Sequence, residues 1–128
     1  MLKVMFCLKR LPHLSVEEFQ RYWYETHAPL VWKQRDALRI TRYVQLHAQQ
    51  GPLAEKLRHF RGSPEPFDGV AEVWYEGADA LAALGRSQDG RAASRELLED
   101  EKRFVDFSRS PIWPGAEKLI IPASLGSP

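Results

Sequence analysis

A helical stretch with one continuous apolar face constrains this fold more than any other part of the 128-residue sequence. Ser15 followed by Glu18 is the signature of a capping box, which predicts that the helix begins there. Ala28-Pro29 is expected to break or kink it, because proline lacks an N–H and restricts the residue before it. Helical periodicity places on one face Phe19, Tyr22, Trp23, Thr26, His27 and Leu30. This face must pack against another layer, and near its C-terminal end it carries the imidazole of His27 where another apolar side chain would be expected.

The composition is that of an ordinary globular chain. It is 44% hydrophobic and 27% charged, and a net charge of +1 gives no reason to expect a nucleic acid or an acidic membrane as partner. Cys7 is the only cysteine, which excludes an internal disulfide. No apolar run approaches the roughly 20 residues that cross a bilayer, and charged residues interrupt the apolar N-terminal stretch. We expect a cytoplasmic protein with a single domain over residues 1–122 and a flexible tail over residues 123–128.

The predicted elements follow one another as strand, helix, strand, strand, helices and strand. Short apolar or β-branched runs predict strands at Leu2–Arg10, Arg39–Gln49, Val70–Tyr75 and Ile112–Pro122. Helical patterns cover Val16–Thr26, Val31–Ala37, Ala78–Leu84 and Arg91–Phe107. This order predicts an α+β fold of the ferredoxin-like, split βαβ type, with helices on one face of a four-stranded antiparallel sheet.

The uncovered face of such a sheet must meet water or a partner. Along the third predicted strand Glu72 and Trp74 alternate with Val73 and Tyr75, so neither face is cleanly polar. A sheet with two apolar-leaning faces predicts a homodimer that buries one of them. Residues 50–67 form a long excursion with three prolines and two glycines, which favours a lid or a dimer contact over a simple linker.

Four separated segments of the sequence carry a recognisable pattern. They are YWYETHAPLV at Tyr22–Val31, RYVQLH at Arg42–His47, DGVAEVWY at Asp68–Tyr75 and DEKRFVD at Asp100–Asp106. In this order they resemble the EthD family of the dimeric α+β barrel superfamily. The resemblance implies a homodimer in which two sheets close into a barrel, with a cavity between the sheet and the helices of each subunit. Residues 49–67 match no motif of the family.

The resemblance also implies a range of activities. The family is tied loosely to oxidation, and relatives in the superfamily include polyketide cyclases, dehydratases, lactone isomerases and cofactor-free monooxygenases. Some relatives bind haem through a histidine, although nothing in this sequence requires haem. Fold transfers well from such a resemblance, whereas chemistry has to be argued from the site.

The candidate catalytic residues are His27, Tyr43 and His47. The imidazole of His27 titrates near neutrality and suits a general acid or base, or equally a helix-end histidine bonded to a free carbonyl. Tyr43 and His47 lie four apart on the second predicted strand and therefore point to one side, which either lines a cavity or meets solvent. Solvent is favoured for His47 near the strand end, and the cavity for Tyr43, because a buried phenol needs a hydrogen-bond partner.

An aromatic wall and a carboxylate complete the candidate site. The residues expected to bind substrate are Phe6, Phe19, Trp23, Trp74 and Phe104, although aromatic side chains at helical spacing more often form core. Glu101, with Asp106, is the carboxylate expected to orient the imidazole of His27. The alternative for these acidic residues is a solvated helix face with pairs such as Glu99 and Arg103.

The sequence has no Gly-rich phosphate loop, no paired cysteines and no His-x-x-x-His, so we expect no cofactor and no metal. The leading hypothesis is a cofactor-independent enzyme for acid/base chemistry on a small apolar compound, aromatic or lactone-like. The reaction would be an oxidation, cyclisation, isomerisation or dehydration. His27 would move the proton and Tyr43 would donate a hydrogen bond to the oxygen that gains charge. Two alternatives stay open: a monooxygenase that uses oxygen directly or through haem, and a non-catalytic binding or accessory protein.

Overall fold

A single antiparallel sheet organises the chain. The structure, a computed structural model, describes residues 1–124; of the tail predicted at residues 123–128, residues 125–128 lie outside the described part. The strands are β1 (Leu2–Leu8), β2 (Arg42–His47), β3 (Gly69–Tyr75) and β4 (Ile112–Gly115), in the spatial order β2-β3-β1-β4. The helices are α1 (Val16–Tyr22), α2 (Ala28–Lys33), α3 (Pro52–Arg61), α4 (Ala78–Ala83) and α5 (Gln88–Glu101). The predicted ferredoxin-like α+β fold is confirmed, and the closing of two sheets into a barrel stays a prediction.

The first helix begins as predicted but does not end at Pro29. Ser15 and Glu18 form the reciprocal capping box, and α1 then passes into a π turn at Trp23–His27. In this turn the N–H of Ala28 donates to the carbonyl oxygen of Trp23, and α2 continues from there. The ring of a proline crowds the carbonyl four residues earlier and offers no donor. A π turn directly before Pro29 shifts the hydrogen-bond register by one residue, which lets the helix continue.

Two predicted elements extend well past their observed C-terminal ends. β4 ends at Gly115 rather than Pro122, because Gly115 already pairs with Lys3 and its partner strand β1 begins at Leu2. α5 ends at Glu101 rather than Phe107, because the chain turns there to let Val105 form a bridge with Arg10 of the N-terminal segment. Within the described part of the chain, no helix is long and apolar enough to cross a membrane.

The inner face of the sheet packs against the helices. The register pairs Phe6 with Ala71 and Tyr43 with Val73, which brings these side chains to the inner face. Two core clusters form there. The first contains Leu8, Phe19, Trp23, Ala71, Phe104 and Val105, and the second contains Leu38, Tyr75, Leu84 and Ala93.

The outer face of the sheet carries the alternate residues of each strand and mixes apolar and charged groups. Lys3 pairs with Glu72 at 2.5 Å and lies over the ring of Trp74, whose indole nitrogen donates to Glu117. Around this cluster Leu46 is 58% and Trp113 is 46% exposed. Such apolar exposure on the two edge strands of one sheet face is consistent with a surface that a partner covers.

Trp23 packs so closely on β3 that only glycine fits opposite its ring. The indole is 1% exposed and touches the sheet at Gly69. A Cβ atom at that position would lie 2.4 Å from the Trp23 ring and 2.9 Å from the carbonyl oxygen of Leu46. These distances are shorter than any non-bonded contact allows, so a larger residue must displace the indole or the backbone of β2.

Gly69→Ala is therefore expected to lower the free energy of unfolding by about 3 kcal/mol, the upper end of the usual cost of overpacking a core. Gly85→Ala is the matched control, because a Cβ there meets no atom within 4 Å. Urea denaturation of the two variants and the parent measures the difference. Equal stability of Gly69→Ala and the parent would show that Trp23 is not confined as described.

Candidate functional site

A cavity of about 370 Å³ lies between the inner face of the sheet and the helices, where the two core clusters meet. This volume is within the roughly 300–1,000 Å³ that small-molecule sites occupy. Most of its wall is aliphatic or aromatic, and the polar side chains that reach it are His27, Tyr43, Tyr75, Ser94 and Glu101. Leu98 and Ile112, which are 45% and 59% exposed, mark its opening to solvent.

Asp100 fixes the orientation of the His27 ring. The imidazole is 3% exposed, and its Nδ1 lies 2.8 Å from Oδ2 of Asp100. The other carboxylate oxygen accepts a hydrogen bond of 2.5 Å from the hydroxyl of Tyr22. Because a carboxylate can only accept, the hydrogen between the ring and Asp100 belongs to Nδ1. The lone pair therefore sits on Nε2, which is free to accept a proton.

Burial lowers the pKa of His27 below its usual value of 6.5, and the hydrogen bond and charge of Asp100 only partly oppose this shift. A buried cation is costly in an apolar surrounding, so the imidazole is neutral at neutral pH. A neutral imidazole held in one tautomer is the form that a general base requires.

Glu101 faces Nε2 of the same ring. Its Oε2 lies 3.6 Å from Nε2, its side chain is 20% exposed, and its carboxyl makes no hydrogen bond of ordinary length to any described residue. Burial, with a smaller contribution from the negative charge of Asp100, raises the pKa of Glu101 to about 7. This carboxyl can therefore hold or release a proton near neutral pH, beside a base that can accept one.

Tyr43 and Tyr75 present hydroxyl groups to the cavity from neighbouring strands. The Tyr43 oxygen accepts a 3.1 Å hydrogen bond from Nε2 of Gln45, which also donates to the Trp23 carbonyl at 2.9 Å. Burial raises the pKa of Tyr43 to about 12, against the opposing effect of these polar contacts. Burial and the nearby Glu101 raise the pKa of Tyr75 as well. Both phenols therefore keep their hydrogen, and each can donate it to a bound ligand.

The structure brings most of the predicted site residues to this one cavity, and its wall contains Phe6, Trp23, His27, Tyr43, Glu101 and Phe104. Phe19 lies behind it, 0% exposed and in ring contact with Trp23 and Phe104. His47 is not part of the wall. It stacks on the Trp23 ring at 4.6 Å and bonds Oε1 of Gln45 at 2.8 Å, so it supports the indole and the amide from outside.

Two predicted site residues lie elsewhere. Trp74 points to the outer face, because its neighbours Val73 and Tyr75 point into the cavity and side chains alternate along a strand. Asp106 does not reach His27. It caps the short 3₁₀ turn at Phe107–Arg109 by accepting from Ser108 and pairing with Arg109. The orienting role predicted for Glu101 and Asp106 is taken by Asp100, while Glu101 itself faces the cavity.

Sequence reasoning missed Asp100 and Tyr75. The alternation of Ala71, Val73 and Tyr75 was visible, but choosing between this set and Trp74 requires the register of β3 against β1. Asp100 and Glu101 are adjacent, and nothing in the charge pattern shows that they flank one imidazole ring. Among the described residues, no group of three or more His, Cys, Asp or Glu is arranged to hold a metal ion.

The raised pKa of Glu101 makes a prediction for the pH dependence of stability. Its folded value of about 7 exceeds the ordinary 4.5, so between these values the folded protein holds a proton that the unfolded chain releases. The stabilisation that the folded protein gains from the proton on Glu101 is fully present below about pH 4.5 and is lost as pH rises through 7. Glu101→Gln is expected to be more stable than the parent at pH 8, by up to about 3 kcal/mol, with little difference at pH 4.5.

Thermal or urea unfolding of the parent and Glu101→Gln across this pH range checks the expectation. Glu99→Gln is the control, because Glu99 is an exposed residue of the same helix, paired with Lys102. A parent and a Glu101→Gln variant whose stabilities differ by the same amount at every pH would contradict the described environment of this carboxyl.

The family model described as EthD domain matches residues 11–108. An EthD family protein from Bacillus halodurans shares 19% identity at a TM-score of 0.61, with 92% of this chain and 99% of that one covered. An EthD-like protein from Ralstonia eutropha shares 14% identity at a TM-score of 0.57, with 89% and 88% covered.

A further solved structure, a dimeric protein of unknown function and ferredoxin-like fold from Bacteroides fragilis, shares 9% identity at a TM-score of 0.56, with 89% and 93% covered. No curated protein matches the chain significantly in sequence. At these identities the solved structures support the fold alone. The family match extends over most of the chain and includes all four sequence segments and the whole helical face that carries His27. This chain belongs to the EthD domain family.

Proposed function

We propose that this protein is a cofactor-independent enzyme that moves a proton on a small, largely apolar compound bound between the sheet and the helices. The observation that carries the proposal is the neutral, buried imidazole of His27, with Nδ1 bonded to Asp100 at 2.8 Å and the ring at the wall of an apolar cavity. An apolar cavity with a few polar groups is typical of a small-molecule site.

His27 supplies the base of the proposed reaction. Nε2 takes a proton from a carbon or oxygen atom next to a carbonyl or hydroxyl group of the substrate. The imidazolium that forms is stabilised by the Asp100 carboxylate, to which it already donates from Nδ1. A positioned base of this kind typically accelerates proton transfer about 10²- to 10⁴-fold.

Tyr43 supplies the stabilising hydrogen bond. Its hydroxyl is held by Gln45 from the side and keeps its hydrogen for the substrate oxygen that becomes negative. Donors fixed in advance at such an oxygen commonly contribute several kcal/mol to the rate. Oxidation, cyclisation, isomerisation and dehydration can each begin with this proton removal.

The size and lining of the cavity support a substrate of about one or two rings. An apolar cavity of about 150 Å³ is enough for benzene, and the volume here is about 370 Å³. The aromatic wall of Phe6, Trp23 and Phe104 suits a flat ring system.

We also propose a homodimer formed through the outer face of the sheet, in the barrel arrangement expected of this family. The support is the apolar character of that face, where Leu46 and Trp113 are largely exposed, and the dimeric state named for the Bacteroides fragilis relative. Leu46→Asp is expected to turn a dimer into a monomer, because it places a charge in the apolar surface that the dimer would bury. Ala92→Asp, on the exposed side of α5, should leave the dimer intact.

Light scattering coupled to size-exclusion chromatography measures both variants. A parent protein that is already monomeric, or a Leu46→Asp variant that stays dimeric, would contradict this interface.

The catalytic proposal is tested with β-tetralone, a neutral bicyclic ketone with acidic C–H bonds beside its carbonyl. The parent protein is expected to accelerate exchange of these hydrogens in deuterium oxide, as followed by proton NMR. His27→Gln should lower this acceleration at least about 100-fold, as removal of a general base does. His59→Gln is the control, since His59 is an exposed residue of α3. Binding of the ketone without accelerated exchange would instead favour a binding or accessory protein.

Asp100→Asn tests the positioning of the ring. The charge and hydrogen bond of Asp100 raise the pKa of His27, so their loss is expected to shift the acidic limb of the exchange rate to lower pH. A purely structural role for Asp100 would lower the rate without moving the profile. The ¹⁵N chemical shifts of the His27 ring report the same change directly.

A further inference from the structure

Glu101 is a titratable group at the cavity wall that has no role in the proposed reaction. Its carboxyl is four-fifths buried, lies 3.6 Å from Nε2 of His27 and bonds no described residue at ordinary hydrogen-bond length. Buried carboxyl groups are normally satisfied by hydrogen bonds or ion pairs. A carboxyl that is held at a cavity wall without such a partner is available to whatever occupies the cavity.

The charges around Glu101 restrict what that ligand can be. The groups that face it are His27 from the π turn, Asp100 on its own helix, and Tyr43 and Tyr75 from the sheet. The described lining of the cavity contains no lysine or arginine. A carboxylate or phosphate ligand would have no cation to pair with and would lie against acidic groups. An anionic ligand is therefore disfavoured, and because most of the wall is apolar a neutral ligand fits better than a cation.

We propose that Glu101 delivers a proton to a second atom of the substrate after His27 has removed one from the first, so that the protein isomerises neutral, enolisable ketones or lactones. This inference rests on the proposed function, because it needs His27 as the base.

The step balances without any oxidant or reductant. Nε2 of His27 removes a proton from the carbon between the carbonyl and a carbon–carbon double bond, and the C–H electron pair becomes part of a dienolate. Tyr43 donates its hydrogen bond to the dienolate oxygen. The Glu101 hydroxyl then gives its proton to the far end of the double bond, where a new C–H bond forms and the carbonyl is restored. The proton on Nε2 passes to the Glu101 carboxylate, which returns both groups to their starting state.

The geometry suits this sequence of transfers. Nε2 and Oε2 are 3.6 Å apart on the same wall, so both reach one face of a flat ligand. The order of their proton affinities also fits: burial lowers the pKa of His27 below 6.5, whereas the pKa of Glu101 is about 7. Near neutral pH the base is thus unprotonated in the resting protein, about half of the Glu101 carboxyl groups carry the proton, and the return of the proton from His27 to Glu101 is thermodynamically favourable.

The test uses β,γ-octalone, a neutral bicyclic ketone whose double bond lies one position away from conjugation. In deuterium oxide two readouts are separated: exchange of the hydrogens beside the carbonyl, and appearance of the conjugated α,β isomer by ultraviolet absorbance. The parent protein should accelerate both. Glu101→Gln should lower isomerisation at least about 100-fold while exchange falls by no more than about tenfold. Glu101→Asp should restore part of the isomerisation, and Glu99→Gln should match the parent.

The outcomes distinguish this inference from the proposed function. A parent that exchanges but does not isomerise the ketone overturns the role of Glu101 and leaves His27 as the base. A Glu101→Gln variant that isomerises at the rate of the parent does the same. If the parent accelerates neither process, both proposals fail. Quenching of the protein's tryptophan fluorescence by 2-naphthol but not by 2-naphthoate would support a neutral ligand, and equal quenching by the two would contradict it.

Discussion

The carboxylate of Asp100 is the contact on which the candidate site depends. It accepts hydrogen bonds from the hydroxyl of Tyr22 and from Nδ1 of His27, and so connects the end of α5 to the first helix and its π turn. A buried imidazole without this acceptor would leave a polar hydrogen unpaired, at a cost of about 1–3 kcal/mol. The same bond decides which ring nitrogen is free, and therefore where the proposed base points.

Contacts of Trp23 with strands β2 and β3 also fix the position of the π turn. Gln45 of β2 donates to the Trp23 carbonyl and to the Tyr43 hydroxyl, and accepts from His47. One amide thus links the turn that carries His27 to the strand that carries the predicted hydrogen-bond donor. Trp23 can lie flat between these elements only because β3 has no side chain at Gly69. The polar site and the tight packing beside it are consequences of the same close approach between helix and strand.

A cavity between two packed clusters is unusual in the interior of a small protein, since interiors are close-packed and unfilled volume lowers stability. Here its wall joins residues of both clusters to a base, a carboxyl and two phenols. The raised pKa of Glu101 also reflects a loss of folding stability, because a buried carboxyl without a partner destabilises the fold at high pH. Stability is commonly given up in this way where a site has to stay open to a ligand.

Local periodicity was enough to predict the element order and the inner position of His27 and Trp23, whereas the cavity was favoured for Tyr43 because a buried phenol needs a hydrogen-bond partner. The positions of His27 and Trp23 follow from the repeat of a single helix, which is a property of neighbouring residues in the chain. The four sequence segments also identified the family.

Periodicity could not choose between Trp74 and Tyr75, because both alternating sets of β3 are apolar and only the pairing with β1 decides which one faces the helices. It could not show that Pro29 continues the helix through a π turn, or that Asp100 and Glu101 approach opposite nitrogens of one ring. The π turn is a local alternative to a break that periodicity does not distinguish. The pairing of β1 with β3 and the approach of Asp100 and Glu101 to His27 join residues more than 60 positions apart, and only the tertiary structure brings such residues together.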